Sequence, residues 1–442
     1  MITPWILFAL LLVLALAMLF WGLARRERFY QYPTLAGATW LFFMCPQILG
    51  ALRNPGKYPD MVLRDHGLET ALAMCVLCAA FGWLGYARPL SVVTDDWQRR
   101  APPPSLFQAG LLLYAIGFFG AYKLADLSGG FIHQFTEGGH YALEWRGLPV
   151  LYFGIAQMIY PGLLLTLLAT LHQPSTVKKL TVAVFSLYPI AVSVLLGRRS
   201  MTAFLCLIFL LAWFFVRNWA PPRWLFATSL VLGGVFVLIA PQYRALSQYG
   251  FRNGEISEIQ VKASVREVLS GTSYAEFDAL VVTAGAVNRT GILDLGKGFY
   301  NSTVAQLVPR QIVGEEFKQS LFLGGSDEDI GYQAYRWSIP YGSTPTGPSN
   351  AFAEFWFFGA SLYYLLGYLS RLLWERAQRI GTEAQIWYTI WVMMIPESIY
   401  GALVILPGRL WFYFLFLWPV LWWLRTERTW EEEVTRLDPE RA

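Results

Sequence analysis

The sequence predicts an all-α protein that crosses a membrane many times, and three observations carry that prediction. The chain of 442 residues is 55% hydrophobic and 17% aromatic, with a mean hydropathy of +0.41. Only 14% of it is charged, against about 25% in ordinary soluble domains. Its apolar residues gather in runs near the roughly 17 to 25 needed to span a bilayer. Arginine and lysine fall on alternate connections between those runs, the pattern of the positive-inside rule. The net charge of +4 identifies no partner, because the charges first have to be sorted by membrane side.

About eleven spans follow from hydropathy. The first, near 4–24, has no basic leader and is followed by Arg25, Arg26 and Arg28, so it reads as a spanning helix that starts outside rather than a cleaved signal peptide. Spans near 34–52, 67–87, 106–126, 147–171, 180–196, 201–216 and 223–241 come next, and 350–374, 383–403 and 408–425 close the chain. Arg88, Arg99 and Arg100, then Lys178 and Lys179, Arg217 and Arg223, Arg371, Arg376 and Arg379, and Arg425 and Arg428 mark the cytoplasmic connections. The amino terminus is then outside and the carboxyl terminus inside. Residues 1–240 hold transmembrane helices one to eight, 241–349 form a large outer loop, and 350–442 hold helices nine to eleven and a cytoplasmic tail. Cys45, Cys75, Cys78 and Cys206 all lie in apolar runs and read as small packing residues, not as disulfides or metal ligands.

Three outer segments remain besides the tip between the sixth and seventh spans. The stretch 53–66 is short and mixed in charge. The stretch 127–145 is rich in glycine and aromatics and carries His133 and His140, which read as surface residues. The stretch 241–349 is large enough to build a site, and its balanced charge is not that of a nucleic-acid-binding patch. Val261, Val265 and Val268 fall at helical spacing, with Lys262 and Arg266 on another face. Ser273 with Glu276 reads as a capping box opening a helix through about Val287. A third helix is expected from near Thr303 to before Pro309. Such amphipathic helices predict a lid lying along the membrane surface. Pro345, Thr346, Gly347 and Pro348 form a stiff turn back into the ninth span.

No nucleotide-binding glycine loop, zinc spacing, haem motif or Ser/His/Asp arrangement is present, so no cofactor or metal is expected. What stands out is arginine on the outer side, where the positive-inside rule disfavours it. Arg198 and Arg199 occupy the tip of a hydrophobic hairpin, and Arg244, Arg266, Arg289, Arg310 and Arg409 follow. Each either snorkels to lipid phosphates or grips a phosphate or diphosphate in the bidentate manner suited to guanidinium. Arg199, Arg244 and Arg409 would come to one depth from three helices. Among the carboxylates, Asp278, Glu354 and Glu397 are the candidates for a general base toward a hydroxyl. Glu397 is equally placed to pair with Arg409. Glu315, Glu316, Asp327, Glu328 and Asp329 read as solvated.

The order of these features resembles the Wzy-type oligosaccharide repeat-unit or O-antigen polymerases, and is most similar to the enterobacterial common antigen branch. The resemblance rests on Leu196-Gly-Arg-Arg-Ser-Met-Thr-Ala-Phe, on Phe299-Tyr-Asn-Ser-Thr and Leu307-Val-Pro-Arg, on Ser343-Thr-Pro-Thr-Gly-Pro with Glu354-Phe-Trp-Phe-Phe-Gly, and on Pro396-Glu-Ser followed by Arg409. It covers the second half of the chain. It implies a GT-C-like, metal-independent, inverting glycosyltransferase in the bacterial inner membrane, its site facing the periplasm. A glycan on polyprenyl (undecaprenyl) diphosphate would be transferred onto an incoming lipid-linked repeat unit, for exopolysaccharide or a related polymer. Arg198, Arg199, Arg244, Arg266, Arg310 and Arg409 would hold the diphosphate. Asp278, Glu354 or Glu397 would take the acceptor proton, and Tyr300, Tyr335 and Trp337 would stack on sugars. Membrane lipid, a chain-length regulator and a flippase would be its partners, and nucleic acid would not. An O-antigen ligase shares this chemistry, but the long loop 241–349 contains no histidine. A lipid-linked oligosaccharide flippase would concentrate polar residues at the midplane in repeated halves, a pattern this sequence does not show. A structural scaffold leaves the outer arginines unexplained.

Overall fold

The computed structural model describes residues 2–89, 103–127, 129–130, 148–195, 199–245, 261–271, 276–324, 330–337, 344–379 and 381–437. Among them the ordered elements are helices. Seven are long and apolar enough to cross a membrane: α1 (Ile2–Leu23), α2 (Tyr32–Arg53), α3 (Gly67–Ala87), α4 (Leu106–Leu127), α5 (Val150–His172), α6 (Thr176–Leu195) and the stretch Leu403–Thr426 of the last helix. The chain is therefore an all-α membrane protein. Between these lie α7 (Arg199–Arg217) and α8 (Arg223–Ala245), apolar over the shorter stretches Met201–Arg217 and Arg223–Phe236.

Glycines set the closest helix pairs. The α4–α5 hairpin is antiparallel, with Gly110 beside Thr166, Gly117 beside Ile159 and Gly162 beside Tyr114. Small residues let two backbones approach where lipid supplies no hydrophobic drive for helix association. Within α2, Pro46 has no N–H to offer, and the preceding turn widens into a π-helix over Trp40–Met44, the Cys45 N–H reaching the Trp40 carbonyl.

The outer-loop region holds α9 (Val261–Ser270), α10 (Glu276–Thr290) and α11 (Lys297–Leu307), then the short helices Arg310–Val313, Glu315–Ser320 and Ile330–Tyr335. As its valine spacing predicts, α9 is amphipathic; it lies against the end of α2, where Gly50 meets the Val268 carbonyl. The expected lid fails at α10. Every residue from Phe277 to Val287 is buried, and the helix packs on α3 with Gly67 against the Val281 carbonyl. The reason is legible in its composition: Asp278 and Thr283 apart, this run is apolar and has no polar face of any width, and a helix apolar all round goes inside. Ser273, the predicted cap, lies outside the described residues. The third loop helix starts at Lys297, six residues before the expected Thr303, because a buried carboxylate caps it there.

The predicted ninth span is two helices. Thr346 accepts the Ser349 N–H through its hydroxyl and opens α12 (Gly347–Phe355) with Pro348 in the first turn. The chain then breaks at Trp356, whose φ is 54°, and resumes as α13 (Ala360–Arg379). The turn is tight enough that Gly359 rests on the Ala351 carbonyl. Below it, α13 packs along α3 through Gly367 against the Gly82 carbonyl. Helix α14 (Thr382–Tyr400) and α15 (Leu406–Leu437) complete the chain. At one end of the bundle basic side chains tie helices together: Arg223 donates to the Ala24 carbonyl (2.6 Å), Arg371 lies over the Tyr86 ring of α3 at 5.4 Å and Arg425 pairs with Glu383. The loop helices α9 to α12 cover the opposite end.

Candidate functional site

The head of α15 is where α11, α12 and the end of α14 converge. Helix α14 contains Pro396 and ends at Gly401, and a turn at Leu403–Ile405 leads into α15. One helical turn of α14 and the start of α15 thus face each other, and Arg409 Nη1 pairs with Glu397 Oε2. Their side chains are 20% and 14% exposed, so the pair is shielded but reachable. Tyr413, one turn along α15, and Tyr400, one turn along α14, stand beside the guanidinium. Arg409 Nε is buried and makes no hydrogen bond. A buried donor left unmade costs about 1–3 kcal/mol, and more when it is charged.

Helix α11 braces that turn from the loop side. Gln306 Nε2 lies 3.4 Å from the Ile405 carbonyl and 3.0 Å from Ser302 Oγ, and Gly408 sits against the Gln306 amide. Glu354 holds the other end of α11. Its side chain is 1% exposed, and Oε2 accepts the Gly296 N–H at 2.6 Å. Burial raises the Glu354 carboxyl above its ordinary value, with nearby Asp294 adding to the shift, while the amides of Gly296, Phe299 and Gly298 oppose it. A carboxylate at a helix N-terminus satisfies orphan N–H groups and meets the positive end of the dipole. Gly347, at the start of α12, abuts the Ser398 carbonyl, which also accepts the Tyr363 hydroxyl at 2.5 Å.

Asp278 lies one layer away. Buried to 1% exposure, it pairs with Lys57 Nζ at 2.7 Å and accepts the Tyr58 hydroxyl. Gln47 closes the same seam, donating to Glu276 (2.9 Å) and accepting the Phe277 N–H (3.0 Å). The α10 helix reaches the site through Thr283, 3.0 Å from Ser349 of α12.

The remaining predicted residues scatter. Arg310 is held by Glu315 at 2.8 Å, and Arg266 is exposed on α9. Arg199 opens α7 and Arg244 lies near the end of α8, but the surroundings of both side chains, and Arg198 altogether, lie outside the described residues, as do His133 and His140. Tyr300 is 42% exposed on α11, Trp337 is half-buried against the core, and Tyr335 donates to Asp65 at 2.6 Å. Sequence reasoning missed Lys57, Gln306, Tyr400 and Tyr413. Tyr413 was within reach, being four residues after Arg409 on one helix face. Lys57 carried no local signal, since its partner Asp278 lies 221 positions along the chain.

Fold and site together describe an all-α membrane protein with a shielded arginine–carboxylate pair under a helical cover. Comparison with family models, with curated proteins and with solved structures finds no match for this chain.

Proposed function

We propose that this chain is a membrane-embedded glycosyltransferase that polymerises lipid-linked repeat units at the periplasmic face of a bacterial inner membrane. The observation that carries the reading is a convergence. The segments that resemble the polymerase family, around Phe299, Thr346 to Glu354, Glu397 and Arg409, lie far apart in sequence. In the fold they abut one another through Glu354 and Gly296, Gly347 and Ser398, Gln306 and Ile405, and Glu397 and Arg409. In this reading eleven helices span the bilayer in a GT-C-like arrangement, amino terminus outside. The half-buried Arg409 faces the donor diphosphate.

The chemistry follows from the pair. Diphosphate bound by Arg409 takes over the guanidinium, including its unused Nε–H, and frees Glu397. The acceptor sugar hydroxyl then attacks the anomeric carbon of the donor glycan from the face opposite the diphosphate. The C–O bond to diphosphate breaks with its electron pair going to the leaving oxygen, and Arg409 stabilises that charge. The hydroxyl proton passes to Glu397. Asp278 and Glu354 are already committed to Lys57 and to the α11 amides, so Glu397 is the carboxylate left for this role. Arg198, Arg199 and Arg244 would supply further diphosphate contacts. A chain-length regulator and a flippase would be the functional partners.

Deleting the gene tests the class. A polymerase deletion leaves single repeat units capped on their final acceptor and no long ladder. A ligase deletion would leave polymer on its lipid carrier, and a flippase deletion would trap repeat units on the cytoplasmic side; either result would overturn the proposal.

A further inference from the structure

A second outer-face cluster lies away from Arg409, on the far side of α10. Three chain segments meet there: the short helix Asp60–Arg64 with Asp65, the end of α10, and the short helix Ile330–Tyr335. Tyr335 donates its hydroxyl to Asp65 Oδ2 at 2.6 Å. The Arg289 guanidinium lies over the Tyr335 ring at 5.6 Å and points Nη1 at Met61 Sδ, 3.6 Å away. Arg336 lies over the Tyr332 ring at 5.3 Å. Gly285 makes room for this arrangement, since a Cβ there would stand 3.0 Å from the Tyr335 hydroxyl.

Two features separate the cluster from an ordinary surface. Tyr332 and Met61 are 45% and 46% exposed, so aromatic and thioether surface faces outward among charged groups. The backbone is also strained on both sides: His66, next to Asp65, has φ 56°, and Arg336, next to Tyr335, has φ 54°. A left-handed conformation costs a non-glycine residue about 1–2 kcal/mol, and such strain collects at ligand-holding positions. Here it turns the chain so that Asp65 and Tyr335 meet and the two arginines lie over tyrosine rings.

We infer that Met61, Asp65, Arg289, Tyr332, Tyr335 and Arg336 form a docking subsite for an oligosaccharide, the glycan of the lipid-linked repeat unit. An aromatic face suits the C–H face of a sugar ring, while guanidinium and carboxylate groups in fixed positions take its hydroxyls. The subsite lies on α10, which touches α12 and through it the Glu397 segment. The inference rests on the proposed glycosyltransferase reading.

Oligosaccharides released by mild acid from the lipid-linked repeat units of the deletion strain are the probe, and their binding to the purified full-length protein in nanodiscs is followed by calorimetry. The wild type should bind saturably. Tyr332→Ala and Arg336→Ala change exposed side chains and should each weaken binding about two- to tenfold. In an elongation assay they should raise KM for the acceptor and leave kcat, the mark of lost ground-state binding. Absence of oligosaccharide binding by the wild type overturns the subsite, and so does unchanged affinity in both variants. Saturable binding weakened by the variants, in a protein that elongates nothing, upholds the subsite and rejects the polymerase.

Discussion

Replacing Arg409 by glutamine separates what the arginine does for the fold from what it does for the reaction. Breaking a fully buried ion pair costs about 3–5 kcal/mol, because one charge stays behind uncompensated, whereas exposed pairs contribute about 0–1 kcal/mol. With side chains 20% and 14% exposed, the Arg409–Glu397 pair lies toward the buried end, so Arg409→Gln should lower stability by about 2–4 kcal/mol. Adding Glu397→Gln removes the stranded carboxylate and should return about 1–3 kcal/mol of that loss as coupling between neighbours. Unfolding followed by tryptophan fluorescence in detergent, over the single variants and the double, reads both quantities. Elongation behaves differently: loss of a preorganised cation facing the leaving group should cut kcat about 10²- to 10³-fold, and the double variant recovers none of it. A double variant no more stable than Arg409→Gln would refute the coupled pair. Elongation by Arg409→Gln within twofold of wild type would refute the diphosphate contact.

Three further outcomes follow from the structure. Lys57→Met strands the buried Asp278 and should cost about 3–5 kcal/mol, largely regained with Asp278→Leu; a double variant as unstable as the single in the same unfolding assay contradicts the tie. A Cβ at Gly367 collides with the Gly82 carbonyl, while one at Gly233 meets nothing within 4 Å, so Gly367→Ala should lower the melting temperature and the yield of monodisperse protein and Gly233→Ala should do neither. Glu354 has a carboxyl raised by burial; its contribution is therefore fully present below the ordinary carboxylate pKa and lost as pH rises through the raised value. Glu354→Gln should flatten the melting temperature over that acidic window, and an unchanged slope would contradict it.

Much of the fold was legible because hydropathy is a local property. Gly67–Ala87 is a helix over the residues predicted for the third span, and the other predicted spans are helical for most of their length among the described residues. The outer loop was read less well. Its α10 run shows no polar face, yet its place against α3 and the Lys57–Asp278 pair depends on partners more than 200 positions away, which periodicity does not encode. The break at Trp356 is similar: aromatic residues through Phe358 look like a continuing span, and only the Ala351 carbonyl under Gly359 reveals the turn. Within the site, the pairing of Glu397 with Arg409 was readable from two helix ends joined by a short turn. The commitments of Asp278 to Lys57 and of Glu354 to the α11 amides were not, because each joins elements that the sequence leaves apart.

The most direct test is elongation by the purified protein. Given undecaprenyl-diphosphate-linked repeat units of verified structure, with no nucleotide sugar, the wild type should convert them into a ladder of lengthened lipid-linked products with release of undecaprenyl diphosphate. Arg409→Gln, folded at reduced temperature, should leave the starting band unchanged. No lengthened product from the wild type would contradict the account.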